Sequence, residues 1–286
     1  MNSIIFIVIG VIIVTTLFIA FLQKRTIEKF TSNIPKVIFT YWHDIESVPA
    51  VVADCIETWR FFNPGFKIII LHEGNYRDYC DPSFDVTSFR HNDSMARTSD
   101  FIRLAVLSKN GGVWMDASII CGQPLDINKG SDFFGYFMPS FTVDQRFPVI
   151  ESWFFACTPD CSFTTAWFKE FMHLNDYETI DDYVEHVKEM GVNISGIGEM
   201  AGYLAVYVAA QKVMQLGDYG HDLSVADANQ GPYKYLADVQ WNSEVALRAL
   251  CNMDELPPIV KMRGVERRVL EDDETLWLCI KDKFLK

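Results

Sequence analysis

Basic residues are in short supply. The 286 residues carry 25 Lys and Arg against 38 Asp and Glu, a formal net charge of −13, which leaves no basic excess to track a nucleic-acid backbone. Any anionic ligand must therefore meet positive charge that is local. The seven cysteines are odd in number, include no Cys-x-x-Cys pair and lack a His-rich partner segment. They give neither a zinc pattern nor a disulfide framework, and Cys157 and Cys161 read as helix-packing residues. Low-complexity tracts and internal repeats are missing as well, which excludes solenoid and fibrous architectures.

Charge is also missing from one stretch, Ile4 to Leu22. About 19 residues at 1.5 Å each give roughly 28 Å of helix, enough to span a bilayer. A secretory signal has a shorter apolar core followed by small residues, whereas here Phe21-Leu22-Gln23 runs into Lys24-Arg25. The sequence thus predicts an uncleaved single-pass anchor over 1–23, a polar stem over 24–33 and a folded domain over 34–286. Lys24, Arg25 and Lys29 follow the span and only the amino terminus precedes it. The positive-inside rule then favours a cytosolic domain, lumenal placement being the reverse.

Within the domain, periodicity predicts a strand over Lys36 to Tyr41, a helix from Pro49 to Phe62 and a strand over Phe66 to Leu71, a βαβ opening. Ser99 caps a predicted helix running to Asn110, and a strand follows from Val113 to Asp116. Further strands are expected at Asp132 to Phe137 and Ser152 to Cys157, with helices at Phe163 to Leu174, Ile180 to Met190 and Gly198 to Leu216. The last 45 residues mix both patterns and support no assignment. Strands alternating with helices mean an α/β fold, with a parallel or mixed sheet covered on both faces.

One segment carries a chemical pattern. Ser99-Asp100-Phe101-Ile102-Arg103 is followed by Gly111-Gly112-Val113-Trp114-Met115-Asp116-Ala117-Ser118. Asp100 and Arg103, three apart, share a helix face. The glycines end the helix, and the strand delivers Asp116 to its carboxyl end, the edge where open α/β sheets hold ligands.

This segment resembles the sugar-binding region of glycosyltransferases with a DXD motif, and in particular the capsular polysaccharide synthesis group, a relative of the clostridial toxin glucosyltransferases and fungal mannosyltransferases. Further matching stretches occur in order: Ile34 to Trp42, Cys55 to Arg60 with Asn63-Pro64, Glu151 to Ala156, and Gly231-Pro232. The resemblance implies a GT-A, Rossmann-like fold and transfer of a hexose from a nucleoside diphosphate sugar, with UDP the expected nucleotide, to a glycan hydroxyl, with retention of anomeric configuration.

Carried over residue by residue, the resemblance makes Asp100, Arg103 and Asp116 catalytic, with Asp100 and Arg103 gripping sugar hydroxyls. Asp116 touches ribose and sugar, Trp42 stacks on the base, and Ser152 approaches donor or acceptor. Asp116 and Ser118 become the ligands of Mn²⁺ or Mg²⁺. Ser118 departs from the motif, because a hydroxyl is a poorer ligand than a carboxylate for an oxygen-loving ion, so the metal is expected to bind weakly and together with the donor. Trp114 is expected to pack beneath Asp116, and Arg97 to face solvent in preference to the alternative, contact with a phosphate. Ser118 also motivates an alternative, a catalytically silent subunit that binds a nucleotide sugar or glycan. A phosphatase-type hydrolase would need a second carboxylate where Ser118 stands.

Overall fold

In the computed structural model, which describes residues 33–285 except 218, 220–222 and 254–256, the βαβ opening is formed by β1 (Val37–Tyr41), α1 (Ala50–Phe62) and β2 (Lys67–Leu71), the two strands pairing in parallel. The predicted span Ile4 to Leu22 and the stem up to residue 32 lie outside the described residues. Among the described residues no helix is long and apolar enough to cross a membrane.

The helix expected from Ser99 begins a turn earlier, as α2 (Met95–Asn110), because Ser94 in extended conformation accepts the Arg97 backbone N–H through its Oγ at 3.2 Å. Gly111 and Gly112 then turn the chain into β3 (Gly112–Met115) at φ 61° and 97°. A Cβ on Gly111 would lie 2.5 Å from the Pro159 nitrogen, and one on Gly112 2.8 Å from the Val37 carbonyl. Both space and left-handed backbone therefore demand glycine.

The main sheet also includes β5 (Phe133–Phe137), β6 (Ile150–Cys157) and β7 (Ser224–Asp227), in the order β2-β1-β3-β6-β5-β7. β1 runs parallel to β2 and β3, and β5 to β7, while β6 is antiparallel to both its neighbours. Period-two alternation splits the strand residues between two faces. Phe39, Trp114 and Phe155 join a core with Phe101, Trp167 and Phe171 under α2, α3 (Ser162–Met172), α4 (Ile180–Glu189) and α5 (Ala205–Leu216). Ile38, Val113, Met115 and Phe154 join the opposite core with Trp59, Leu247 and Trp277. The second core is roofed by α1, the short α6 (Lys234–Ala237), α7 (Ser243–Asn252), α8 (Gly264–Asp272) and α9 (Glu274–Phe284). Fully burying one such indole, roughly 200 Å² at about 25 cal/mol per Å², is worth on the order of 5 kcal/mol.

Cys157, at the end of strand β6, and Cys161, the residue before α3, are both buried in the core under the helices, as expected of helix-packing residues. Other expectations need correction. The helix expected over Gly198 to Leu216 is interrupted, since Gly198 takes φ 59° in a short 3₁₀ turn (Gly198–Met200) and α5 starts only at Ala205. Two short strands, β4 (Ile119–Cys121) and β8 (Ile259–Lys261), form a separate antiparallel pair that the sequence did not announce. Cys251 and Cys279 are disulfide-bonded, a single staple between α7 and α9.

Candidate functional site

The chain leaves β1 towards β2 on one side and returns to β3 on the other, so a crevice opens at the carboxyl ends of these parallel strands. Asp116 stands there directly after β3, its backbone N–H donating to the Trp153 carbonyl at 2.9 Å. Asp116, Ala117 and Ser118 form a tight turn closed by the Ile119 N–H on the Asp116 carbonyl at 3.1 Å. Helix α1 clamps the strand beyond: Trp59 Nε1 donates to the Ile119 carbonyl at 2.6 Å, and the Cys121 N–H donates to Thr58 Oγ1 at 2.9 Å.

On its other edge β4 meets β8 with Ile119 opposite Lys261. The Lys261 N–H donates to the Pro232 carbonyl at 3.1 Å, so the Gly231-Pro232 turn picked out in the sequence pins the strand that bears Lys261. The Lys261 side chain, 7% exposed as a residue, consequently reaches the crevice. Its Nζ donates to Asp116 Oδ2 and to Ser118 Oγ, each at 3.0 Å.

Arg103 ties the remaining predicted residues together. Its Nη1 donates to Ser152 Oγ at 2.6 Å and lies 3.4 Å from Asp100 Oδ1, its Nη2 lies 3.3 Å from Asp116 Oδ1, and its guanidinium sits 5.2 Å from the Trp114 ring centre. Ser99 accepts from Arg103 Nε through its carbonyl and from Nη2 through its hydroxyl. Trp114 is buried as expected, and its Nε1 donates to Asp116 Oδ1 at 3.0 Å.

One expectation does not hold, and one predicted residue lies apart from the others. Arg97 is buried and not in solvent: its Nη2 donates to the carbonyls of Gly202 and Tyr203 at 3.0 and 3.2 Å, which fixes the segment before α5 over the crevice. Trp42 does not line the cavity with Asp116; it is half-buried behind α8, with the Arg267 guanidinium 5.5 Å from its ring centre.

The cavity has a volume of about 570 Å³ and an acid-base balance unlike the chain as a whole, with Arg97, Arg103, Lys261 and Arg263 facing Asp100, Asp116 and Glu151. Burial pushes the Asp116 carboxyl up, but Lys261 and Arg103, with the hydrogen bonds from Trp114 and Lys261, outweigh it and hold the group below the usual carboxylate range. At Asp100 burial wins over Arg103 and Arg97, so that carboxyl is raised. Burial also pushes Glu151 up to about 7, despite the hydrogen bond from the Tyr207 hydroxyl. Glu151 is thus the wall residue that changes charge near neutrality.

Lys261, Arg263, Tyr207 and Trp241 escaped the sequence reading. Trp241 lies on the cavity wall against Tyr233, the Arg263 guanidinium 5.2 Å from its ring centre. Gln240 and Trp241 are both left-handed, at φ 53° and 63°, a conformation that costs free energy and collects at ligand sites. That strain is the signal in the structure, and no residue pattern encodes it.

The predicted metal ligands Asp116 and Ser118 fit a resident divalent ion poorly. One carboxylate and one hydroxyl are the whole donor pair, and both already accept from the Lys261 ammonium, with Arg103 also beside Asp116. Among the described residues no three His, Cys, Asp or Glu side chains converge as a metal-binding group.

The family described as "Capsular polysaccharide synthesis protein" matches residues 12–187. Among curated proteins nothing matches. Among solved structures the chain is similar to one titled "PaToxG Glycosyltransferase", at 15% identity and a TM-score of 0.44, over 94% of this chain and 95% of that one.

Proposed function

Since the chain belongs to the capsular polysaccharide synthesis protein family, we propose that it is a glycosyltransferase that moves a hexose from a nucleoside diphosphate sugar, UDP-linked by preference, to a glycan hydroxyl. The observation that carries the reading is the convergence of Asp100, Arg103, Asp116 and Ser152 on one cavity, at the carboxyl edge of β1 and β3, where four cations surround the acids. A diphosphate needs such a positive enclosure in a chain of net charge −13.

In this reading Asp100 and Arg103 orient sugar hydroxyls and Asp116 approaches the sugar and ribose, so that the anomeric carbon meets the acceptor at short range. The acceptor oxygen bonds to that carbon as its bond to the diphosphate oxygen breaks, the electron pair leaving with the diphosphate and the hydroxyl proton passing to the same oxygen. Attack on the face the diphosphate leaves gives retention and requires no protein nucleophile. Trp241, rather than Trp42, is the aromatic face placed to stack against the donor.

The test is a panel of nucleotide sugars added to the full chain, read as a rise in melting temperature and as slow release of free sugar. Stabilisation with sugar release by one member supports the enzyme. Stabilisation without release, even with glycan acceptors, selects the silent binding subunit, and no response from any member removes the nucleotide-sugar reading.

A further inference from the structure

The two side chains that the sequence offers as metal ligands are joined instead by an ammonium. We propose that Lys261 is a catalytic residue that takes up the charge of the departing diphosphate in place of a divalent cation, so that transfer runs without metal. This inference rests on reading the cavity as a nucleotide-sugar site.

The geometry carries it. Lys261 Nζ stands 3.0 Å from Asp116 Oδ2 and 3.0 Å from Ser118 Oγ, so the two oxygens that would hold an ion are both engaged by the ammonium. An ammonium has three donors, and Asp116 and Ser118 use two of them. The third has no partner among the described residues, and Lys261 lines the cavity. A divalent ion bound to the same oxygens would sit against this cation and close to the Arg103 guanidinium, 3.3 Å from Asp116 Oδ1. Like charges at that range inside a protein repel strongly, so lysine and ion exclude one another.

The lysine is also held from several sides, as electrostatic stabilisation by a preorganised group requires. The β4–β8 register sets it opposite Ile119, its N–H is tied to Pro232, and its carbonyl accepts from the Tyr235 hydroxyl at 3.0 Å. The next residue, Met262, donates its N–H to the Ser118 carbonyl at 3.1 Å and accepts from Ser118 Oγ at 2.9 Å. Ser118 therefore serves as the mount of the lysine. A carboxylate at position 118 would give the acid pair that a metal wants, whereas the neutral serine leaves Asp116 as the one negative charge beside the ammonium.

In the reaction Lys261 stays protonated. As the anomeric carbon–oxygen bond breaks and its electron pair moves to the diphosphate, the free N–H of Lys261 donates to the phosphate oxygen that gains the charge. The proton balance is unchanged, since the acceptor hydroxyl supplies the proton taken up by the leaving group.

The experiment uses the full chain, with UDP, GDP, CDP and ADP as binding probes and hydrolysis of the matching nucleotide sugar as activity. In the wild type, exhaustive chelation should leave activity within twofold, and the preferred diphosphate should raise the melting temperature equally with EDTA or Mn²⁺. Lys261→Met, which keeps the stem and removes the charge, should lose roughly a hundredfold or more in kcat. The pair Ser118→Asp with Lys261→Ala should acquire Mn²⁺ binding, seen by electron paramagnetic resonance, and diphosphate binding that depends on it.

Activity lost on chelation and restored by Mn²⁺ in the wild type overturns the proposal, as does Lys261→Met with kcat within threefold of wild type. Should Lys261→Met not fold, the chelation result on the wild type still decides. Failure of all four diphosphates to bind with or without Mn²⁺ sinks the nucleotide-sugar reading itself. Binding only with Mn²⁺ sinks the lysine alone.

Discussion

Glu151 should make the protein lose stability as pH rises towards neutrality, and removing its charge should abolish that loss. The side chain is 3% exposed, and its carboxyl is pushed from an ordinary 4.5 to about 7, by burial first, with the Tyr207 hydrogen bond pulling the other way. Because the folded state holds this proton more tightly than the unfolded state, the favourable contribution is complete below the unfolded value of 4.5 and is lost as pH rises through about 7. At 1.36 kcal/mol per pH unit the loss amounts to about 3 kcal/mol. Glu151→Gln keeps an oxygen for the Tyr207 hydroxyl and has no charge to desolvate. Relative to wild type, the variant should therefore gain about 3 kcal/mol between pH 4.5 and 8. For a chain of this size the difference in melting temperature should move on the order of 5 °C or more. Thermal unfolding followed by circular dichroism across that range is the assay. Parallel curves for the two proteins would show that Glu151 is not a buried, proton-binding carboxyl, and the electrostatic picture of this wall would have to be abandoned.

Asp116→Asn should reduce donor hydrolysis about a hundredfold. It should also lower stability by about 2 kcal/mol, because Lys261 and Arg103 lose the carboxylate that compensates their burial; an unchanged melting temperature would refute the ion-pair account. Trp241→Ala should raise KM for the donor with a smaller effect on kcat, whereas Trp42→Ala, away from the cavity under Arg267, should change melting temperature and leave KM in place. The opposite pairing of effects would return base stacking to Trp42.

Asp100, Arg103 and Asp116 were legible because their relation is local. A helix, two obligatory glycines and a four-residue strand fix all three within a single stretch of chain. Ser152 was placed correctly near them only through a resemblance, and its contact with Arg103 is a matter of the β3–β6 pairing. Lys261 was invisible for a physical reason. It reaches Asp116 across 145 positions through two strands of three residues each, too short to show alternation, set by a turn whose purpose is to hold them. Arg97 misled because nothing in its own stretch of chain signals burial. The carbonyls that bury it, Gly202 and Tyr203, come from a distant segment. The C-terminal helices were obscured by the same brevity, since β8 breaks their periodicity before it can build.

The β4–β8 pairing has a consequence for how the protein is made. The acids of the site and the apolar strand Ile119-Ile120-Cys121 emerge early in synthesis, and the partner that covers that strand and neutralises Asp116 emerges more than a hundred residues later. Until then β4 is an open edge, the kind of surface on which nascent chains stick to one another. Premature stops anywhere between α5 and β8 should therefore yield not a weakened protein but an insoluble one. Substitutions in the Gly231-Pro232 turn should act as slow-maturation defects, visible in yield before they are visible in turnover.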